Sequence, residues 1–247
     1  MASIPFNFSS FEPEPHVIPA EIYSGSHNHG PFVEHPIKLR IATGGAGQSG
    51  VLRALCNAFI EHEFQSGDCK NSFSIAWLMS DTSASFNHLA TRAADLSITY
   101  HHAAEEIAIR QGIADRKAYA WRDHWLLVGP KSNPANLSIS PESGPKEEPT
   151  IFTLFSELFM AATATSSVKF LSRYDKSAGN IKESWIWSSI GQTPWAHPLS
   201  TWYHRYVEFP FQALKAASAL GEYTLTDRGT WLAVEQHVRD EMDIFVS

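Results

Sequence analysis

Three short turns rich in Gly, Ser and Thr stand immediately before apolar segments of helical spacing, at 43–50, 80–83 and 172–177. The start of a helix presents N–H groups with no partner in the helix, together with the positive end of its dipole, and so can hold a small anion. The third turn adds two fixed positive charges, Arg173 and Lys176. Several such turns meeting in one cleft would desolvate an anion and fix it. Ser and Thr are also ordinary N-caps, and for any single turn capping is the commoner use. Tyr203, His204 and Arg205 combine a donor, an acceptor and a charge, a set suited to acid–base chemistry. His101-His102 ends an expected strand, where α/β folds bind ligands, although a structural hydrogen bond explains the pair as well. Asp123 and His124 read as structural, Asp227 and Arg228 as a cap or ion pair, and Tyr223 and Trp231 as core. His27-Asn28-His29, flanked by His16 and His35, has metal-ligating residue types, but no rigid element fixes them. A solvated tail is the simpler reading there, and no metal site is expected.

Several chemistries are excluded by spacing. No Gly-Lys-Ser/Thr closes the loop at 43–50, so it is not a phosphate-binding P-loop, and its glycines miss the dinucleotide-binding pattern. A Gly-x-Ser-x-Gly elbow is absent, which removes the serine-hydrolase reading. Two cysteines are too few for a cysteine-rich zinc site, although a Cys56–Cys69 disulfide is conceivable. The 247 residues carry 19 basic and 26 acidic side chains, a net charge of −7, which argues against a nucleic-acid partner. No apolar run is long enough to span a membrane. The first residues lack the basic and apolar segments of a secretory signal, so a cytoplasmic location is expected for the sequence as written. No cofactor is indicated.

The elements that must carry these groups alternate. Ile37–Ala42 reads as a strand, followed by the glycine turn and a helix from Val51 to Ile60. A strand at Phe73–Met79, the turn at Ser80–Ser83, a helix at Ala84–Ala94 and a strand at Asp95–Tyr100 follow. Helix Ala103–Gly112 and strand Ala120–Val128 lead into a loop at 130–150. Beyond it come helix Ile151–Ala162, strand Val168–Ser172, the turn Arg173–Ser177, helix Ala178–Ile190, helix Phe211–Leu220, an extended Tyr223–Thr226 and a last helix from Gly229. This alternation predicts an α/β fold with mainly parallel sheets. Residues 1–36 read as a flexible arm.

Gln48-Ser49-Gly50-Val51-Leu52, the stretch from Asp95 to Glu105, Leu127-Val128-Gly129-Pro130 through Ala135, Leu171 through Ser177, Trp202-Tyr203 and Tyr223 through Thr230 resemble, in this order, the tungstate-binding proteins of ABC importers. The resemblance spans about 38–233 and looks closest to the fungal-type branch of that periplasmic-binding-protein-like family. It implies a two-lobed fold with a hinge: lobe one at 37–129 plus 223–247, lobe two at 130–222. It also implies an oxyanion site at Thr43, the amides of Gly45 and Ala46, Ser49, Thr82, Ser83, Arg173 and Ser177. Arg173 is the strongest candidate, because a permanent charge with a planar donor fork suits an oxyanion.

Departures from the family pattern are specific. Gly44-Gly45-Ala46-Gly47 replaces a hydroxyl-rich run, Asp81 brings a carboxylate to the second turn, and Ser177-Ala178-Gly179 replaces Ser-Gly-Thr. The cleft is therefore expected to be more mixed in charge and open to an organic acid. The leading reading is a solute-binding-type protein for a small anion, a monomer whose ABC-transporter partner is in question. The second is an enzyme of small-molecule metabolism performing acid–base cyclisation or isomerisation with His102, Tyr203, His204 and Arg205; the third is a scaffold with no tight ligand. An extracytoplasmic location would follow from the resemblance if the N-terminus is incomplete.

Overall fold

The computed structural model describes residues 17–25, 35–67, 72–138, 149–196 and 200–246. They form two compact units, divided between Ala120 and Trp121.

In the first unit the chain enters as β1 (Glu21–Tyr23), inside the stretch expected to be an arm, and pairs antiparallel with β3 (Ser74–Met79). Between them run β2 (Ile37–Thr43), the one-turn α1 (Gly45–Gln48) and α2 (Val51–Ser66). Gly50 and Gly67 bracket α2 with φ of 82° and 76°, the left-handed conformation that glycine adopts without strain. Leu52, Cys56 and Ile60 recur every four residues on the buried face of α2 and pack on Ile41, Ile75 and Trp77. The remaining elements are α3 (Thr82–Ala90), β4 (Leu96–Ser97) and α4 (His102–Arg110). The sheet order is β1-β3-β2-β4, with β2 parallel to both β3 and β4. Burial pushes the Cys56 thiol up to about 11. Cys69, the other half of the conceivable disulfide, lies outside the described residues.

The second unit contains β5 (Trp125–Pro130), α5 (Ile151–Ala164), β6 (Phe170–Ser172), α6 (Ala178–Ser189), β7 (Tyr203–Arg205), α7 (Pro210–Leu220), β8 (Tyr223–Asp227), α8 (Arg228–Ala233), α9 (Gln236–Asp240) and β9 (Met242–Val246). Its sheet order is β7-β6-β8-β5-β9. Alternate residues of the strands supply two different cores. Leu127, Phe170, Tyr223 and Leu225 pack with Leu154, Phe155 and Leu158 of α5 and with Ile186 and Trp187 of α6. Leu126, Val128 and Leu171 pack with Ala213, Leu214 and Ala217 of α7 and Val238 of α9. A sheet covered on both faces needs near-continuous apolar strands, which Trp125–Val128 and Phe170–Leu171 provide.

Among the described residues four of the seven strand pairings are parallel, and the antiparallel ones join β1 to β3 and β5 to β8 and β9. Residues 223–247, expected with 37–129 in one lobe, fall in the second unit, where β8 pairs with β6 at Phe170↔Tyr223. β8 runs beside β5 from Trp125↔Asp227 to Val128↔Thr224, and β9 pairs with the other edge of β5. The expected boundary at 129 therefore falls inside a strand buried on both faces, and β5 belongs to the second unit as well.

Candidate functional site

In the first unit, the turn after β2 is fixed from beneath. Thr43 is fully buried and its hydroxyl donates to Ile98 O at 3.0 Å, so it ties the end of β2 to the chain just after β4. Its carbonyl accepts the Trp77 indole N–H at 2.8 Å. Gly47 lies against the same indole, where a Cβ would overlap ring atoms. Within α1, the N–H groups of Gly47 and Gln48 donate to Gly44 O, leaving the Gly45 and Ala46 amides without acceptors inside the helix. The Ser49 hydroxyl donates to Ala46 O at 3.3 Å. Of the expected groups here, the two amides have no acceptor within α1, and both hydroxyls bond internally.

The second turn is capped from within. The Asp81 carboxylate accepts Ala84 N–H at 2.7 Å at the start of α3, the place where an external anion would sit. Thr82 is buried and Ser83 exposed in the first turn of that helix. His101 caps α4 in the same way, its Nδ1 accepting Ala104 N–H at 3.2 Å. His102 lies 2.8 Å from Lys117 Nζ, which also pairs with Glu106 at 2.6 Å. Both histidines thus make structural contacts.

The third turn, in the second unit, holds its arginine rigidly. Arg173 Nη2 meets Asp175 Oδ2 at 2.5 Å and its Nε donates to Glu208 O at 3.0 Å, with 13% of the side chain exposed. Asp175 Oδ1 accepts from both the N–H and the hydroxyl of Ser177, at 3.0 and 2.6 Å. Ser177 in turn caps α6 through Asn180 N–H. Arg173 also lines a small recess with Trp125, Gly179, Thr224, Thr226 and Asp227. The recess has about 10 Å³ for a water-sized occupant, room for roughly one water. The Thr226 hydroxyl is buried there with no hydrogen-bond partner among the described residues. Asp227 caps α8, accepting Thr230 N–H at 2.7 Å and its hydroxyl at 2.8 Å. Burial pushes the Asp227 carboxyl up from the ordinary carboxylate range; the Asp123 charge adds to this and the Thr230 bonds oppose it.

The three residues suggested for acid–base work diverge along β7. Tyr203 is buried, its hydroxyl 2.7 Å from Glu183 Oε1 and 2.8 Å from Ser172 Oγ, and burial holds that hydroxyl un-ionised. His204 pairs through Nδ1 with the buried Glu222 at 2.8 Å. Arg205 donates to Trp195 O and stacks over the Tyr174 ring, 4.7 Å from its centroid. Alternation along the strand turns His204 to the face opposite Tyr203 and Arg205, and those two take separate partners, so adjacency in sequence did not produce a cluster. His102 lies in the first unit, apart from these three in the chain's division.

Asp175 and Glu183 were missed from sequence. A signal existed for Glu183: Gly179, Glu183, Ile186 and Trp187 are the buried stripe of α6, and a carboxylate on that stripe must be partnered. Among the described residues no group of three or more His, Cys, Asp or Glu could hold a metal ion. His16, His27 and His29 lie outside the described residues.

The sequence pattern of the PBP superfamily domain matches residues 31–244. The chain belongs to that family. A relative in Haloferax volcanii, provisionally named an anion-binding protein of an ABC transporter, is 26% identical over 79% of this chain and 50% of its own length. The tungstate-binding protein of Peptoclostridium acidaminophilum is 30% identical over 58% of this chain and 44% of its own. The chain thus spans about half the length of the curated relatives it matches. Among solved structures, a periplasmic protein provisionally described as metal-binding is 46% identical, with a TM-score of 0.75 over 92% of this chain and 77% of that one. The tungstate ABC transporter structure from Geobacter sulfurreducens shares the fold, with a TM-score of 0.61 at 24% identity over 85% of this chain and 79% of that one.

Proposed function

We propose that this PBP superfamily chain is a solute-binding-type protein that takes a small anion, a tungstate-like oxyanion or an organic acid. The observation that carries the reading is Arg173. It is nearly buried, fixed by Asp175 and the Glu208 carbonyl, and stands in the turn that leads into α6. A guanidinium held in one orientation binds an oxyanion with little ordering cost. The names of the relatives support the reading. One is called anion-binding, one tungstate-binding and one metal-binding, and a metal oxyanion satisfies all three. The motif set suggests the fungal-type branch, and an extracytoplasmic setting accords with the periplasmic description of the 46%-identical neighbour. The enzymatic alternative has weaker support, since Tyr203, His204 and Arg205 engage separate partners.

Thermal-shift measurements with tungstate, molybdate, sulfate, phosphate and simple carboxylates test this. A ligand at 100 times its Kd adds about 2.7 kcal/mol of stability. A shift with one anion that Arg173→Ala abolishes is the expected result. No shift with any of them overturns the reading.

A further inference from the structure

Four oxygens of three side chains close a ring between α6, β6 and β7. Glu183, 3% exposed, lies with Oε1 2.7 Å from Tyr203 Oη and Oε2 2.9 Å from Ser172 Oγ, and Tyr203 Oη is 2.8 Å from Ser172 Oγ. All three sides have the length of an O–H···O hydrogen bond, and each such bond needs one proton. Tyr203 and Ser172 supply one apiece. An ionised Glu183 supplies none, and would leave one side of the ring without a proton of its own. Ser172 Oγ also accepts from Tyr174 N–H at 3.1 Å and Asn180 Nδ2 at 3.3 Å, so these two longer bonds share its lone pairs with the ring.

We propose that Glu183 is a protonated positioning residue: its carboxylic acid closes the ring that fixes Ser172, and Ser172 fixes the turn carrying Arg173. The link to the turn is the Tyr174 amide, which donates to Ser172 Oγ. Tyr174 stands between Arg173 and Asp175 with φ at 45°, a left-handed conformation that a non-glycine residue keeps only when its surroundings hold it. The groups facing Glu183 are Tyr203 from β7, Ser172 from β6, Asp175 from the turn and Asn180 from its own helix. Burial pushes the carboxyl up from 4.5 to about 7, and the charge of Asp175 adds to the rise, while bonds from Tyr203, Ser172 and Asn180 oppose it. Above that pH the ionised carboxylate draws both hydroxyl protons, the Tyr203–Ser172 side opens, and the hold on Tyr174 loosens. The consequence for anion capture rests on the reading of Arg173 given above; the ring itself does not, so its test uses no ligand.

A raised carboxyl stabilises the fold fully below its unfolded value and loses that contribution as pH rises through its folded value. The melting temperature of the wild type relative to Glu183→Gln, whose amide keeps a neutral ring at every pH, is expected to fall between about pH 4.5 and about 7 and then level off. Over the same interval the hydrogen-exchange protection of the Tyr174 amide should drop several-fold in the wild type and stay constant in Glu183→Gln. If that variant does not fold, the infrared carbonyl band of an un-ionised acid at pH 6 decides, because Tyr203→Phe shifts the Glu183 band and leaves that of Asp227 in place. Parallel stability curves with constant Tyr174 protection, or no acid band responsive to Tyr203→Phe, overturn the proposal. A failed anion panel would refute the binding reading and leave these results standing.

Discussion

Asp175 takes the guanidinium of Arg173 two residues before it, Nη2 to Oδ2 at 2.5 Å, with 13% and 12% of the two side chains exposed. The charge expected to attract an anion therefore meets a carboxylate of its own turn first. An incoming anion has to share the guanidinium with Asp175, and the pair sets how strongly a negative ligand is drawn.

Asp175→Asn separates these effects. Losing the ion pair and weakening the Ser177 bonds is expected to cost about 1.5–3 kcal/mol of stability, read as a lower melting temperature. The same change removes a negative charge beside Arg173, so whichever anion answers in the thermal-shift panel should bind more tightly by calorimetry. Unchanged affinity would mean that Arg173 does not meet the anion.

His204→Ala distinguishes structure from catalysis in β7. His204 is bonded to Glu222, which is 4% exposed, and removing the imidazole leaves a buried carboxylate without that partner. The expected loss is about 1–3 kcal/mol, visible as a melting shift of several degrees in a chain of this size. A variant that melts like the wild type would return His204 to the list of functional groups.

Gly47→Ala tests the tightness of the first turn. The added methyl group overlaps the Trp77 ring, which is itself pinned by its bond to Thr43 O. Overpacking of this kind costs about 1–3 kcal/mol. Gly50→Ala, which meets no neighbour but has φ at 82°, destabilises through backbone strain alone. Urea melts of the two variants should therefore separate packing from backbone conformation.

Most elements were legible because their patterns are local. The alternation of Ile37, Leu39 and Ile41 marked β2, and the apolar spacing of 151–162 marked α5, which runs two residues further to Ala164. The expected strand at 95–100 shrinks to Leu96–Ser97, where Ile41 and Ala42 supply partners. Strands β1, β7 and β9 escaped notice, since three to five residues carry little periodicity and acquire their conformation from distant neighbours, as when Glu21 pairs with Trp77. The family resemblance grouped 223–247 with 37–129, whereas β8 pairs with β6 as well as β5, a register set by neighbours distant in the chain. Anion-site residues were legible as types and not as partners. Nothing in the turn at 80–83 tells whether Asp81 repels a ligand or caps α3, because the distinction is one side-chain rotamer.

Trp77 stands alone among the eight tryptophans in one respect: the other seven lie at 121 or beyond. Its indole touches both the Thr43 carbonyl and Gly47, so nature has placed a single fluorophore at the root of the glycine turn. In a chain whose other tryptophans are phenylalanine, emission from that ring reports the first unit by itself, and a quench or spectral shift on adding tungstate would register an event at residues 43–50 without any label.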